Sequence, residues 1–312
     1  MRWNKPGMCC VISGKSLKTG MRMFEFPRTV SFVFLLVSLL CHGLADRAGA
    51  TTYAPTHVDM TLKKVSQHVY FVQGKAGIAT DNEGFISNAG VVITDAGIVV
   101  FDSLGTPSLA YKLLGLIREV SDKPILRVIT SHYHADHIYG LQVFEDLGAD
   151  IWAPAGAENY LRSEGAAERL EERRLSLGPW VNDDTRLVEP DRYIDQPEVF
   201  TLGDVKMTVV PVGAAHSDGD MTLYVEPDGV LFSGDIIFEG RIPFMGDANS
   251  RHWLEVLQHK APHLAGLCSY CSHRPMQFCA EPRLTGQEAP NQTTMPQQER
   301  AQVPCPVGRC VH

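Results

Sequence analysis

The stretch Thr130–Gly140 reads TSHYHADHIYG and follows a run of apolar residues that predicts a buried strand. Alternate residues of an extended segment point to the same face, so we expect His132 and His134 to project together. The chain is then expected to turn into a helix, which brings Asp136 and His137 alongside them. The spacing therefore predicts four polar side chains gathered at the end of one strand.

These four side chains are of the types that bind metal ions. Imidazole nitrogen and carboxylate oxygen are natural ligands of zinc, and an open coordination position leaves room for water. A histidine-rich surface turn is the alternative explanation. Four ligand-type residues within six positions, directly after an apolar strand, favour a metal centre instead.

The surrounding sequence predicts one continuous α/β domain over residues 51–260. Short β-rich segments dominate each half and helical patterns lie between them, which favours two sheets packed face to face with helices outside. The periodicity predicts helices at Pro107–Val120, over 155–174 and over 250–258, the last with Trp253, Leu254 and Leu257 facing inward.

The segment HYHADH, residues 132–137, matches the H-x-H-x-D-H signature of the metallo-β-lactamase superfamily, and the resemblance covers roughly residues 58–258. It implies an αββα sandwich, in which two sheets pack together between outer helices. It also implies further ligands. His216, in the stretch GAAHSDGD, would complete a first metal site with His132 and His134.

Asp235, at the end of the stretch LFSGD, resembles the superfamily's aspartate that bridges two metals. Asp136 and His137 would then serve the second metal. A capped loop histidine is the alternative for His216, and an ordinary turn aspartate is the alternative for Asp235. Two further residues are expected to support the site without binding metal: Asn88 and Asp102.

The sequence departs from the family at the last ligand. The superfamily usually supplies a final histidine in a glycine-containing turn beyond the bridging aspartate, whereas this chain has His273 in the stretch SHRP, without the glycines. His259 and His263 are weaker candidates. Residues 261–312 are rich in Pro, Gln and Cys and lack apolar periodicity, so we expect an irregular tail, disordered or frameshifted. Without a final histidine, the second metal would have one ligand fewer.

The first fifty residues resemble a secretion signal. VSFVFLLVSLL, residues 30–40, is too short to span a bilayer but suits the apolar region of a signal peptide, and Ala48–Ala50 supplies a small-residue cleavage site. An uncleaved anchor or a buried helix is the alternative. We predict translation from Met21 or Met23, a periplasmic or secreted protein, and no stable membrane span after signal cleavage.

The net charge and the positions of the cysteines limit the kinds of partner and metal ligand that can be expected. A formal net charge of −8 gives no reason to expect binding to nucleic acid. Cysteine is absent between Thr51 and Leu267, so the predicted domain has no thiolate to offer a metal. We therefore expect a small-molecule substrate, and the sequence does not determine the oligomeric state.

The resemblance implies a zinc-dependent hydrolase. One or two zinc ions would make hydroxide available for attack on an ester, thioester, lactone or amide carbonyl, with Asp136 as the catalytic carboxylate. The segment FSGDIIFEGRIP, residues 232–243, resembles exported metallohydrolases of bacterial sulfur-oxidation and quinoprotein systems. Two alternatives stay open: a persulfide dioxygenase of the same fold that uses a single iron, and a non-catalytic metal-binding accessory protein of such a system.

Overall fold

A computed structural model describes residues 53–238, 242–259 and 268–270. The predicted secretion signal over residues 1–50, and the candidate ligands His263 and His273, lie outside the described residues. Within the described part of the chain, no helix combines the length and the apolarity needed to cross a bilayer.

The first sheet has seven strands in chain order. They are β1 (Lys63–Lys64), β2 (Val69–Val72), β3 (Ala89–Ile93), β4 (Ile98–Phe101), β5 (Ile125–Ile129), β6 (Asp150–Pro154) and β7 (Arg192–Ile194). The first four strands pair antiparallel, and β4 to β7 pair in parallel. Every residue of β4 is apolar and buried, as expected for a strand that is covered on both faces.

The second sheet has five strands: β8 (Glu198–Leu202), β9 (Val205–Gly213), β10 (Asp220–Val225), β11 (Val230–Phe232) and β12 (Cys268–Tyr270). Strands β8 to β11 form an antiparallel meander, and β12 pairs in parallel with β11. Strand β12 falls within residues 261–312, for which the expectation of an irregular tail stays a prediction. The edge of β11 presents main-chain N–H and C=O groups. A segment can pair with these groups through its own backbone even when its side chains show no apolar periodicity.

In the described part of the chain, six helices accompany the sheets: α1 (Pro107–Val120), α2 (Ala135–Ile138), α3 (Leu141–Glu145), α4 (Ala157–Leu161), α5 (Glu164–Leu177) and α6 (Ser250–His259). Single 3₁₀ turns lie at Ala79–Asp81 and Gly234–Ile236. Helix α1 begins after Thr106, whose hydroxyl accepts the N–H of Leu109, and Pro107 occupies its first turn. Its predicted bounds are confirmed.

The core lies between the two sheets and beneath the outer helices. Phe101 of β4 stacks on Phe232 of β11 with ring centroids 5.3 Å apart, which joins the sheets face to face. On the outside of the first sheet, α1 buries Leu109, Leu113 and Ile117. On the second sheet, α6 packs through Trp253 and Val256 against Val212 and Ile236. The predicted αββα sandwich is therefore confirmed.

Two details of the predicted helices are wrong. The helix expected over 155–174 is two helices, α4 and α5, because the Ser163 hydroxyl accepts the N–H of Ala166 and starts a new helix there. In α6, Leu254 is 58% exposed, whereas Trp253 is 6% exposed. The Trp253 indole donates to the carbonyl of Ile236 and fixes the rotation of α6, so Leu254, about 100° further round the helix, points to solvent.

Candidate metal centre

Four chain segments meet at one end of the sandwich. Strand β4 ends just before Asp102, β5 ends just before the histidine motif, β11 ends just before the turn that contains Asp235, and the β9–β10 loop carries His216. Neighbouring parallel strands end at the same edge of a sheet, so β4 and β5 place Asp102 beside the motif. The N–H of Met221 donates to the carbonyl of Ser131 at 2.8 Å and links the second sheet to this edge.

Three of the predicted ligands converge on one point. Nε2 of His132 and Nε2 of His216 each lie 3.0 Å from Nδ1 of His134. A single ring nitrogen has one in-plane site for a proton or a lone pair, so it cannot form good hydrogen bonds to two neighbours. A tetrahedral zinc ion with nitrogen ligands at 2.0–2.1 Å places those nitrogens about 3.3 Å apart. The donor set and its spacing therefore fit a shared cation.

The other three predicted ligands form a second group beside the first. Nε2 of His137 lies 3.3 Å from Oδ1 of Asp235 and 3.5 Å from Oδ2 of Asp136. The remaining carboxylate oxygen of Asp235, Oδ2, lies 3.4 Å from Nε2 of His216. Asp235 thus spans the two groups, which is the arrangement expected of a carboxylate that bridges two metals.

Asp102 orients the motif from beneath. Its carboxylate accepts the N–H of Ser131 at 2.7 Å and the Ser131 hydroxyl at 2.9 Å, and its Oδ2 lies 2.9 Å from Nδ1 of His137. The Ser131 hydroxyl also lies 2.9 Å from Nδ1 of His132. Because these contacts engage Nδ1 of both histidines, the Nε2 atoms face the centre, as in metal sites where a second residue fixes the ligand ring.

Asp220 holds the loop that carries His216. Its Oδ2 accepts the backbone N–H groups of Ala215 and Ser217, at 3.1 and 2.9 Å, and these two residues flank His216 in the chain. Its Oδ1 accepts the Ser217 hydroxyl at 3.0 Å. Burial raises the pKa of Asp220 to about 7, against the opposite effect of these N–H donors. Asp220 therefore helps to fix the loop conformation and, with it, the position of the His216 ring.

Gly234 allows the turn before Asp235 to approach the motif. Its φ of +53° lies in the left-handed region, and a Cβ on it would come within 2.5 Å of the Ser131 Cβ. Any larger residue there would push the β11 end away from β5. The closeness of Asp235 to His137 therefore requires glycine at this position.

Burial sets the charge of the first three histidines. It lowers the pKa of His132 well below the ordinary value and also lowers the pKa of His134, and it brings the pKa of His216 down to about 4. Neutral imidazoles with available lone pairs are therefore present at neutral pH, which is the state that binds a metal.

His137 behaves in the opposite way. Burial disfavours its charged ring, but the carboxylates of Asp102, Asp136 and Asp235 outweigh burial and raise its pKa well above the ordinary value. In the absence of metal, a proton on His137 supplies the positive charge that three surrounding carboxylates favour. The second group is thus also suited to a cation.

A cavity of about 940 Å³ opens onto the two groups. His134, Asp136, His216 and Asp235 line it at the centre, and Asp247 lies there with Oδ2 3.6 Å from Nε2 of His134. The cavity also has apolar lining residues: Ile78, Ile86, Phe238 and Phe244. It is large enough for a substrate of coenzyme or drug size.

All six residues predicted as ligands therefore lie together, four of them lining the cavity and His132 and His137 buried beside it, and their binding of metal stays a prediction. Asn88 accepts the N–H of Gly74 at 2.9 Å, and its support of the site stays a prediction. Sequence reasoning missed Ser131, Asp220 and Asp247. Ser131 and Asp220 each stand within four residues of a predicted histidine, which is the only signal that the sequence offers for them.

Comparison with known proteins agrees with this geometry. The family model described as "Metallo-beta-lactamase superfamily" matches residues 82–273, and so runs into the segment expected to be irregular. The acyl-coenzyme A thioesterase MBLAC2 of Gallus gallus is 33% identical over 126 residues, which are 38% of this chain and 43% of that protein. MBLAC2 of Homo sapiens is 28% identical over 162 residues, 48% of this chain and 57% of that protein. The chain thus spans about half the length of these curated relatives.

Two solved structures are similar in fold. A metallo-β-lactamase from Pontibacter korlensis has a TM-score of 0.56 at 18% identity, over 70% of this chain and 92% of that one. The sec-alkyl sulfatase PisA1, as a double mutant, has a TM-score of 0.53 at 20% identity, over 69% of this chain and 38% of that one. With the family model matching more than half of its residues, the chain belongs to the metallo-β-lactamase superfamily.

Proposed function

We propose that this protein is a zinc-dependent thioesterase that hydrolyses an acyl thioester at the centre built by His132, His134, Asp136, His137, His216 and Asp235. The observation that carries the proposal is the approach of Nε2 of His132 and Nε2 of His216 to within 3.0 Å of Nδ1 of His134, beside a carboxylate that reaches both groups. Bound zinc supplies Lewis acidity, which makes hydroxide available near neutral pH and polarises a carbonyl oxygen.

The protein's own residues position the attacking water. Asp235 is almost fully buried and spans the two groups, so its role is to hold the ligands and the water in place. Asp136 is more exposed, at 21% of its side chain, and lines the cavity. Asp136 is therefore the carboxylate that can orient the water towards a substrate carbonyl and accept its proton.

The thioester class is supported by chemistry and by relatives. A thiol has a pKa of about 8.5, so a thiolate leaves at neutral pH with little need for a proton from the protein. An amine leaving group, by contrast, needs a general acid. The MBLAC2 relatives from three species are named acyl-coenzyme A thioesterases, and they are 28–33% identical to this chain over the matched segments.

The test measures thiol release from acyl thioesters by the purified protein, loaded with zinc or stripped with a chelator. Zinc-loaded protein should hydrolyse the thioester and stripped protein should not. Asp136→Asn should lower kcat/KM by on the order of 10²- to 10³-fold. The matched control is Asp183→Asn, which changes an exposed aspartate of the same type. Equal rates with and without metal, or cleavage of only a lactone or a β-lactam, would refute the thioesterase proposal.

The two alternatives give different results in the same samples. Elemental analysis that finds one iron, together with oxygen uptake on a persulfide, would identify a dioxygenase. If neither wild type nor Asp136→Ala acts on esters, thioesters, lactones or β-lactams, the accessory role is favoured.

A further inference from the structure

One wall of the cavity is a single face of helix α5. The residues that line it recur at intervals of one, three or four: Gly165, Glu168, Arg169, Glu172, Arg173 and Ser176. A neighbouring face of the helix is buried against the domain through Ala166, Leu170 and Leu177. Because the apolar stripe fixes the rotation of α5, its charged face is held towards the space that a substrate would occupy.

The two arginines on this face differ in their partners. Arg169 is hydrogen-bonded to Glu172 one turn away. Nη1 of Arg173 lies 3.6 Å from Oε1 of Glu172, which is too long for a hydrogen bond, and the Arg173 side chain forms no hydrogen bond to any residue that the structure describes. Its side chain is 26% exposed. Arg173 therefore has guanidinium N–H donors available to a ligand in the cavity.

Arg173 also lies close to the metal centre. A small recess of about 20 Å³ is lined by Arg173, Ala135, Asp136 and Gly105. Arg173, Ala135 and Asp136 line the large cavity as well, so the recess and the cavity share a wall. A substrate whose carbonyl lies at Asp136 can thus place a nearby group on Arg173.

We propose that Arg173, assisted by Arg169, binds an oxyanion group of the thioester substrate, either a carboxylate or a phosphate. This inference rests on the proposed thioesterase function. The planar guanidinium fork matches two oxygens of such a group and is weakly hydrated, so it binds oxyanions better than an ammonium does. The apolar residues Ile78, Ile86 and Phe238 provide the surface for the uncharged part of the substrate.

The decisive experiment compares three thioesters with zinc-loaded wild type and Arg173→Gln. The thioesters are butyryl-N-acetylcysteamine, which is neutral, succinyl-N-acetylcysteamine, which carries a carboxylate on the acyl side, and butyryl-coenzyme A, which carries phosphates on the thiol side. Arg173→Gln should lower kcat/KM about tenfold or more for at least one anionic substrate, and less than about twofold for the neutral one. The substrate that loses most identifies which oxyanion Arg173 binds.

Arg174→Gln on the same helix is the charge-matched control. Arg174 hydrogen-bonds to the carbonyls of Asn182 and Thr185 and does not line the cavity, so its loss should change neutral and anionic substrates in equal proportion. Glu168→Gln removes a negative charge from the cavity wall and should favour the anionic substrates. An equal loss on neutral and anionic substrates in Arg173→Gln would overturn the proposal.

A binding measurement separates failure of this subsite from failure of the proposed function. NMR titration of metal-free protein with glutarate and with inorganic phosphate needs no turnover. Wild type should bind at least one of them, and Arg173→Gln should bind it at least about fivefold more weakly. If no thioester is cleaved but this difference is seen, the subsite stands and the reaction is another one; if both proteins bind alike, the subsite proposal is wrong.

Discussion

Two clusters of histidine and aspartate lie at opposite ends of the sandwich and differ in what their imidazole nitrogens face. At the end away from the cavity, Nδ1 of His68 lies 2.7 Å from Asp228 and Nε2 lies 3.3 Å from Asp204. Each ring nitrogen thus has its own carboxylate. In the candidate metal centre, nitrogens of His132 and His216 face a nitrogen of His134 instead.

The difference separates a structural cluster from a ligand cluster. The His68 cluster joins the turn before β2 to the β8–β9 and β10–β11 turns, and so connects the two sheets with every polar atom of the ring satisfied by the protein. In the candidate metal centre, a shared cation would satisfy the converging imidazole nitrogens together. Composition alone, histidine with aspartate, does not distinguish the two.

The largest expected effect is on the ligand cluster. His132→Ala removes a ligand nitrogen of the first group, so zinc content should fall and kcat/KM should drop by on the order of 10³-fold. Elemental analysis and thiol-release kinetics measure these quantities. His68→Ala is the comparison variant and should keep its zinc. A His132→Ala protein that retained full zinc content would contradict the ligand assignment.

The pH dependence of stability is expected next in size. Unfolded histidine titrates near 6.5, whereas His216 in the folded protein has a pKa of about 4. Between these values the unfolded chain binds more protons, so His216 makes the free energy of unfolding of metal-free protein fall as the pH is lowered from 6.5 to 4, by about 3 kcal/mol in all. Urea unfolding of wild type and His216→Gln in chelator, from pH 4 to 8, measures this contribution as the difference between the two proteins.

The comparison of wild type with His216→Gln is needed because other groups also change the free energy of unfolding with pH. Asp220 and His137 have raised pKa values, so between its two pKa values each group binds more protons in the folded protein than in the unfolded chain. Each of them therefore makes the free energy of unfolding fall as the pH rises, which is opposite to the effect of His216. His137 stabilises the metal-free protein below pH 6.5, and this stabilisation is lost as the pH rises through its raised pKa. If the pH profiles of wild type and His216→Gln were parallel between pH 4 and 6.5, the depressed pKa of His216 would be wrong.

Loss of the loop support should weaken metal binding without removing a ligand. Asp220→Ala leaves the amides of Ala215 and Ser217 without their acceptor, and zinc affinity should fall roughly 10- to 100-fold. Asp220→Asn should restore most of the affinity, since its carbonyl oxygen can accept both amides and its amino group can donate to the Ser217 hydroxyl. Competition with a chromogenic chelator gives the affinities. Equal affinities for Asp220→Ala and wild type would show that the loop is held by other contacts.

The smallest effect is expected in the structural cluster. His68→Ala leaves the buried carboxylate of Asp228 without one partner and should lower the free energy of unfolding by about 1 to 2 kcal/mol. Urea unfolding of metal-free protein measures it, with His57→Ala, a change at an exposed histidine, as control. A loss of zinc in His68→Ala would break the distinction between the two clusters.

The local patterns were sufficient for most of the fold and for the metal-ligand candidates. The proline-led apolar period of residues 107–120 predicted α1, and the spacing of His132, His134, Asp136 and His137 predicted a gathered set of metal-type side chains. These features depend on neighbours in the chain, where strand alternation and helix period decide which side chains share a face. His216 and Asp235 needed the family resemblance, because their distance from the motif along the chain carries no geometric information.

Only the tertiary structure decided the rest. The exposure of Leu254 follows from the hydrogen bond of Trp253 to Ile236, and the roles of Ser131 and Asp220 follow from contacts made across loops. The difference between His68 and the metal-centre histidines depends on which partner each ring nitrogen faces. Such partners come from distant strands and turns, so they are fixed when the two sheets pack together and cannot be read from residue type or spacing.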